Sequence, residues 1–206
     1  MKPLPTDFDA DVHYWLNRIR ADPTIIVPNL EDMLTRFEGK MLRPRSDSLN
    51  RAMLITNEGP NAVKEAIEYL KFKAPRNAKP LVWSEDMRSS CRDHVNDLGP
   101  KGITGHTGSD GSSPNKRILR YLKDPTMTGE NLAFGTEEAL QVLIDLIVDD
   151  GVPDRGHRTN IFLKEWEMHG TFTGKHTYYD VMMCQNFAAG SAKIKTSSVK
   201  APRLVS

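Results

Sequence analysis

Residues 136–188 read TEEALQVLIDLIVDDGVPDRGHRTNIFLKEWEMHGTFTGKHTYYDVMMCQNFA, and the hydrophobic pattern changes within this stretch. Thr136 offers an N-cap and Glu137 and Glu138 follow it. Leu140, Val142, Leu143, Ile144, Leu146, Ile147 and Val148 then make a segment that is apolar nearly all round. Such a segment predicts a helix buried on most sides, ended by Gly151 and Pro153. Past GHRTNIF, the runs Glu167–Gly174 and Thr177–Ala188 are rich in Tyr, Phe, Thr, Val and Met, and the GKH between them suits a turn. Two antiparallel strands follow from that, with Gly129–Phe134 as a third.

Upstream the period is helical. Phe8, Val12, Trp15, Leu16 and Ile19 form one stripe, with Thr6 or Asp7 as N-cap and Pro23 closing it, which predicts a helix over residues 7–20. Leu30, Met33, Leu34 and Phe37 make a second helix that stops near Gly39. Residues 40–58 show no clear period and read as an irregular connection. Val63, Ala66, Ile67 and Leu70 give a third helix ending before Pro75. Ser84, with Glu85 and Asp86 behind it, caps a fourth whose inner face is Met87, Cys91, His94, Val95 and Leu98. The glycines at 99, 102, 105, 108 and 111 lack the sustained repeat and prolines of a triple helix, so the stretch reads as an ordered loop. A short helix starts at Pro114.

The chain has 206 residues, with 38% apolar and 27% charged, the balance of a globular protein rather than a disordered or membrane one. Net charge is +1, so no global field holds the whole chain on nucleic acid or a membrane surface, and a transmembrane segment is not expected. The charge is unevenly placed. Residues 190–206 carry Lys193, Lys195, Lys200 and Arg203 and no acid, which leaves a basic tail on a weakly acidic body. Cys91 and Cys184 alone cannot form a disulfide framework, and a reducing compartment suits them. The opening MKPLPTDFDADVHYW carries three aspartates and two prolines where a signal peptide needs an uninterrupted apolar run, and Lys2 excludes myristoylation. An intracellular, cytoplasmic protein is the expectation.

Three glycine-flanked segments carry the chemistry: GHTGSDGSSP with His106, GENLAFG with Glu130, and DDGVPDRGHRTNIF with Asp149, Asp150 and His157. Imidazoles and carboxylates are the parts of a zinc or acid–base site. Asp149 and Asp150 stand at the negative end of a helix dipole, a local misfit that marks a functional site or else calls for neutralisation by Arg155 or Arg158. His94 reads as a core histidine, and His169 and His176 as surface residues. Cys91 and Cys184 read as buried hydrophobes without an activating base. Trp15, Trp83 and Trp166 read as core anchors, and the DGSSP serines as the cap of the following helix.

Taken in order, Leu81, Trp83, Asp93, His94 and Asp97, then GHTGSDGSSP, GENLAFG, LIVDDGVPDRGHRTNIF and MMCQNFA, the sequence resembles the CAP superfamily of cysteine-rich secretory, antigen 5 and pathogenesis-related proteins. The likeness runs from LNRIRADP of the first helix to Ala188, and its GHR-x-NIF variety resembles the bacterial and protist branch more than the animal secreted one. The resemblance implies an α+β fold, an α-β-α sandwich with a central antiparallel sheet between helical layers. It divides the chain into residues 1–80, the first helix plus a lead-in, 81–189, the main body, and 190–206, the tail. It also implies a cleft tetrad of His106, Glu130, Asp149 and His157, with Asp150 as the second choice for Asp149. Relatives commonly have glutamate at that position, so Asp149 is one methylene shorter.

From the resemblance, His106 and His157 are the candidate zinc pair, a weak and exchangeable site if occupied; two neutral histidines in a polar network with the carboxylates is the competing reading. A non-catalytic binding or scaffold component of a larger assembly, cytoskeletal or ciliary, is the leading expectation, with the basic tail as contact for an acidic partner or protein assembly and no sequence-specific nucleic acid. A zinc-dependent hydrolase and a lipid or sterol binder are the alternatives.

Overall fold

The structure, a computed structural model, describes residues 8–45 and 53–190. In chain order the elements are α1 (Phe8–Ala21), α2 (Val27–Thr35), β1 (Phe37–Glu38), β2 (Met41–Leu42), β3 (Leu54–Ile55), α3 (Pro60–Phe72), β4 (Val82–Trp83), α4 (Glu85–Leu98), α5 (Pro114–Ile118), β5 (Met127–Phe134), α6 (Ala139–Val148), α7 (Gly156–Phe162), β6 (Met168–His176) and β7 (Asp180–Ala189). The chain is α+β. The described residues divide into two compact units, one of residues 8–14, 81–134 and 165–190, the other of residues 15–45, 53–80 and 135–164. No helix among the described residues is long and apolar enough to cross a membrane.

The first unit is built on a four-stranded sheet in the order β4-β6-β7-β5, with β4 parallel to β6 and the other pairs antiparallel. Side chains alternate across a strand, so Leu132, Met168, Met182, Cys184 and Ala188 share one face. Against it α4 lays Met87, Cys91, Val95 and Leu98, all buried. Ser84 starts that helix as the sequence predicts, its hydroxyl accepting the N–H of Met87. The helix lies directly on strand backbone at Gly170. A Cβ there would meet the backbone nitrogen of Arg88, with Met87 Cβ at 2.6 Å and the Ser84 carbonyl at 2.7 Å, so only glycine permits this approach.

The hairpin turn falls later than GKH: Lys175 pairs with Val181 and His176 with Asp180, leaving Thr177–Tyr179 as the turn. His176 explains the shift. Its Nδ1 accepts the N–H groups of Tyr178 and Tyr179, each at 3.2 Å, and its Nε2 lies 3.2 Å from the Ile103 carbonyl. The imidazole supplies the turn's internal acceptor. His176 is therefore buried rather than on the surface, and His169 is fully buried too. His169 stacks on His13, with the two Nδ1 atoms 3.1 Å apart, and meets Trp83 and Phe187 edge-on or tilted. Trp166 is a core anchor, stacked on Phe187, whereas Trp83 is half-buried with its indole N–H on Glu85.

In the second unit α2 packs on α3, α3 on α6 and α6 on α7. Its buried side chains include Leu16, Ile26, Leu30, Val63, Leu70, Leu143, Ile147 and Phe162, while Trp15 is half-buried. The stretch read as irregular holds β2 and β3, which with β1 form a small antiparallel sheet. Strands of two residues, with Leu54 and Ile55 both exposed, leave no period to read. Thr136 does not cap α6. Its hydroxyl bonds Asp145 Oδ2, and the helix begins three residues later. GHRTNIF, left unassigned above, is helical as α7. Thr6 and Asp7 lie outside the described residues.

Candidate functional site

Glu130 sits in β5 on the face that carries Leu132, and it is buried. A buried carboxylate needs partners, and three donor atoms, one from each of three residues, make four contacts with it. His106 Nδ1 lies 2.9 Å from Oε1, Arg117 Nη2 reaches Oε1 at 3.0 Å and Oε2 at 2.7 Å, and the Cys184 thiol lies 3.5 Å from Oε2. Burial pushes the Glu130 carboxyl up, but the His106 hydrogen bond and the Arg117 charge outweigh it and hold it below its ordinary value. Glu130 is thus an ionised acceptor. It accepts a hydrogen bond from the Nδ1–H of His106, which leaves the Nε2 lone pair of that half-exposed imidazole available.

Arg117 is the residue that sequence reading missed. It lies in α5, which Ser113 starts by accepting the Lys116 N–H, and its Nη1 donates to the Ser112 carbonyl. The signal for it was indirect: a buried Glu130 demands a cation, and Arg117 adjoins the apolar Ile118 of the same short helix. His94 also has a part. Burial lowers its basicity, and its Nε2 lies 2.9 Å from the Gly105 carbonyl, the residue just before His106. The core histidine therefore pins the loop that carries the candidate one. Asp97 holds that loop further along by accepting the Ser109 N–H at 2.7 Å.

In the other unit, Asp149 closes α6 in the left-handed conformation, φ 55°. Its Oδ2 accepts the backbone N–H of His157 at 3.0 Å and its Oδ1 meets His157 Nδ1 at 2.6 Å. The carboxylate thus satisfies an otherwise open amide in the first turn of α7 and orients the imidazole on that turn. Asp150 turns elsewhere, accepting the N–H groups of Asn57 and Glu58 at 2.6 and 2.8 Å.

Neither aspartate is neutralised by Arg155 or Arg158 in the way the sequence suggested. Those arginines address the C-terminal carbonyls of α6 instead. Arg158 Nε donates to the Ile147 carbonyl at 2.5 Å, and Arg155 Nη1 to the Asp149 carbonyl at 2.8 Å. Their carboxylate partners are Glu65 and Glu58. The dipole is offset by cations on carbonyls, which frees the Asp149 carboxylate for His157.

The predicted residues therefore meet as two dyads, His106 with Glu130 in the sheet unit and His157 with Asp149 in the helical unit. Among the described residues no group of three or more His, Cys, Asp or Glu side chains is placed to hold a metal ion. Cys91 and Cys184 are buried and free, and burial, with Cys91 alongside, pushes the Cys184 thiol well up. Ser112 is buried with its N–H on Asp110, and Ser113 caps α5. Lys193, Lys195, Lys200 and Arg203 lie outside the described residues.

Several solved structures are similar to this chain. An outer surface protein from Borrelia burgdorferi shares 21% identity at a TM-score of 0.47, covering 55% of this chain and 80% of that one. An extracellular protein containing an SCP domain from Bacillus anthracis shares 19% at 0.45, covering 62% of this chain and 38% of that one. A cysteine-rich secretory protein from Staphylococcus aureus shares 13% at 0.42, covering 71% and 44%. This chain thus spans less than half the length of the last two. No curated protein matches it. The model of the cysteine-rich secretory protein family matches residues 17–187, which takes in both dyads. With that match over most of its length, the chain belongs to the CAP family.

Proposed function

We propose that this CAP domain is a binding component of a larger intracellular assembly and works without turnover. The observation that carries this reading is the state of Glu130. A general acid or base works best with a pKa near the operating pH, and Glu130 is instead fixed as an anion by a buried arginine and an imidazole. Asp149 is likewise committed to the backbone N–H and the Nδ1 of His157. Each carboxylate serves to orient an imidazole. The two free, buried cysteines suit a reducing compartment. The tail from Gly190, with four cations and no acid, supplies charge for an acidic protein surface, a cytoskeletal or ciliary one being the proposed setting.

A weakly held zinc ion belongs to this proposal. A histidine whose Nδ1 is held by a carboxylate is the usual form of a metal-ligating imidazole, and His106 and His157 both have it. One imidazole per dyad falls short of a four-donor structural zinc site, so binding would be weak and exchangeable. When bound, the ion would act as a Lewis acid on a ligand oxygen.

The test has two parts. Zinc titration of the wild type and of His106→Ala and His157→Ala, with hydrolysis assays on a peptide and ester panel, is expected to give weak zinc binding that both variants reduce, and no hydrolysis. Zinc-dependent turnover lost in His157→Ala would establish the hydrolase instead. Affinity capture from the native cell, with and without residues 190–206, is expected to lose one dominant acidic partner on truncation. A partner set unchanged by truncation, or co-purifying sterol or fatty acid in mass spectra, would move the function away from the tail.

A further inference from the structure

In the helical unit, α2, α6 and residues 43–45 after β2 line a cleft of about 690 Å³ that includes no residue of either dyad. Its volume lies within the range of small-molecule sites. Met33 and Ile144, both buried, are among its apolar lining, together with Pro28 and Pro44. Arg36, Arg43 and Arg45 also line it, and among the described residues Asp32 is the one acid of the lining.

The arginines are partly organised already. Asp32 Oδ2 accepts from Arg36 Nε at 3.1 Å, and Arg36 Nη1 donates to the Arg43 carbonyl at 2.7 Å, which ties the end of α2 to the far side of the β1–β2 hairpin. Arg43 is half-exposed and its Nη1 meets Glu38 at 3.4 Å. A guanidinium carries five N–H donors in a planar fork, so Arg36 and Arg43 keep donors beyond these contacts. Among the described residues the lining has three cations against one anion.

We infer that this cleft binds a small amphipathic organic anion, with the Arg43 and Arg36 guanidinium groups on its carboxylate or phosphate oxygens and its apolar body on Met33 and Ile144. Such a ligand uses both halves of the lining: an oxyanion suits the paired forks, and the apolar body removes hydrocarbon surface from water. The inference does not depend on the role of either dyad.

The probes are phenylbutyrate, its neutral amide and inorganic phosphate, titrated into the full chain by calorimetry at low and high salt. Phenylbutyrate is expected to bind at least about tenfold more tightly than either of the others, and to weaken as salt rises. Arg43→Gln is expected to lower its affinity about threefold to tenfold and Arg43→Glu further. Arg43 is half-exposed, so both variants should fold, which thermal unfolding checks. Equal binding of the acid and the amide, equal binding of phosphate, no binding by the wild type, or an affinity unchanged in both Arg43 variants would each overturn the inference.

Discussion

Asp149 receives two hydrogen bonds from one residue, the backbone N–H of His157 at 3.0 Å and its Nδ1 at 2.6 Å. The carboxylate thereby joins the end of α6 to the start of α7 and sets the tautomer of the imidazole in the same act. The short side chain spans the distance: Asp149, in the left-handed conformation at the end of α6, meets both the backbone N–H and the Nδ1 of His157.

Asp149→Asn should separate the two duties. Asparagine tolerates the left-handed conformation and accepts from an open helix amide about as well as aspartate, so stability should change by less than about 1 kcal/mol. The imidazole would lose its anionic acceptor and shift its proton toward Nε2. Nitrogen NMR of the His157 ring should show that shift, and any zinc affinity at this dyad should fall roughly 10–100-fold. An unaltered tautomer would mean that the carboxylate charge is not what sets it.

Arg117→Met should destabilise the chain by about 3–5 kcal/mol, because it leaves the Glu130 charge buried with its cation removed. Both side chains are almost wholly buried, so solvent does little to screen the loss. Adding Glu130→Gln should recover a large part of that energy, since the unpaired charge goes with it. Urea unfolding of the two variants measures both effects, and additive losses would contradict a shared ion pair.

Burial lowers the His13 pKa from an ordinary 6.5 to about 4 and depresses that of His94 in the same direction. With the folded value below the unfolded one, the unfolded chain binds more protons between these limits. Stability should therefore be complete above about pH 6.5 and fall as pH drops toward about 4. His13→Gln should flatten the first part of that decline in thermal unfolding scans. Glu130, whose pKa is also lowered, adds a further loss only as pH falls below the ordinary carboxylate range.

Gly170→Ala should cost about 1–3 kcal/mol or more, the price of overpacking where the obstructing atoms are backbone. The methyl would press on the first turn of α4 at Ser84, Met87 and Arg88. Denaturant midpoints report the cost, and a midpoint equal to that of wild type would show that α4 can lift off the sheet.

The long helices and the β6–β7 hairpin were legible in sequence because each carries a sustained period. The inner face of α4, Met87 to Leu98, is buried at every position the stripe named. What period cannot reveal is which polar side chain will take over a backbone duty. His176 became a turn acceptor and His169 half of a stacked pair, and both left the surface. For the candidate site, motif order supplied His106, Glu130, Asp149 and His157, but the groups that hold them are set by tertiary contact. Arg117 on Glu130, His94 on Gly105 and Arg158 on Ile147 lie 13, 11 and 11 residues from their partners, each across a turn or loop whose path no hydrophobic pattern encodes.

The thiol of Cys184 faces Glu130 on one side and shares a core cluster with Cys91, Leu132 and Met182 on the other. The Glu130 half of the His106 dyad is therefore anchored in the greasy interior, while the imidazole reaches it from a half-exposed loop. Repacking beneath α4 would retune that imidazole even where no residue of the dyad changes. Lineages of this domain should inherit interior and dyad as one block, so that swapping loops between relatives transfers His106 but not its behaviour.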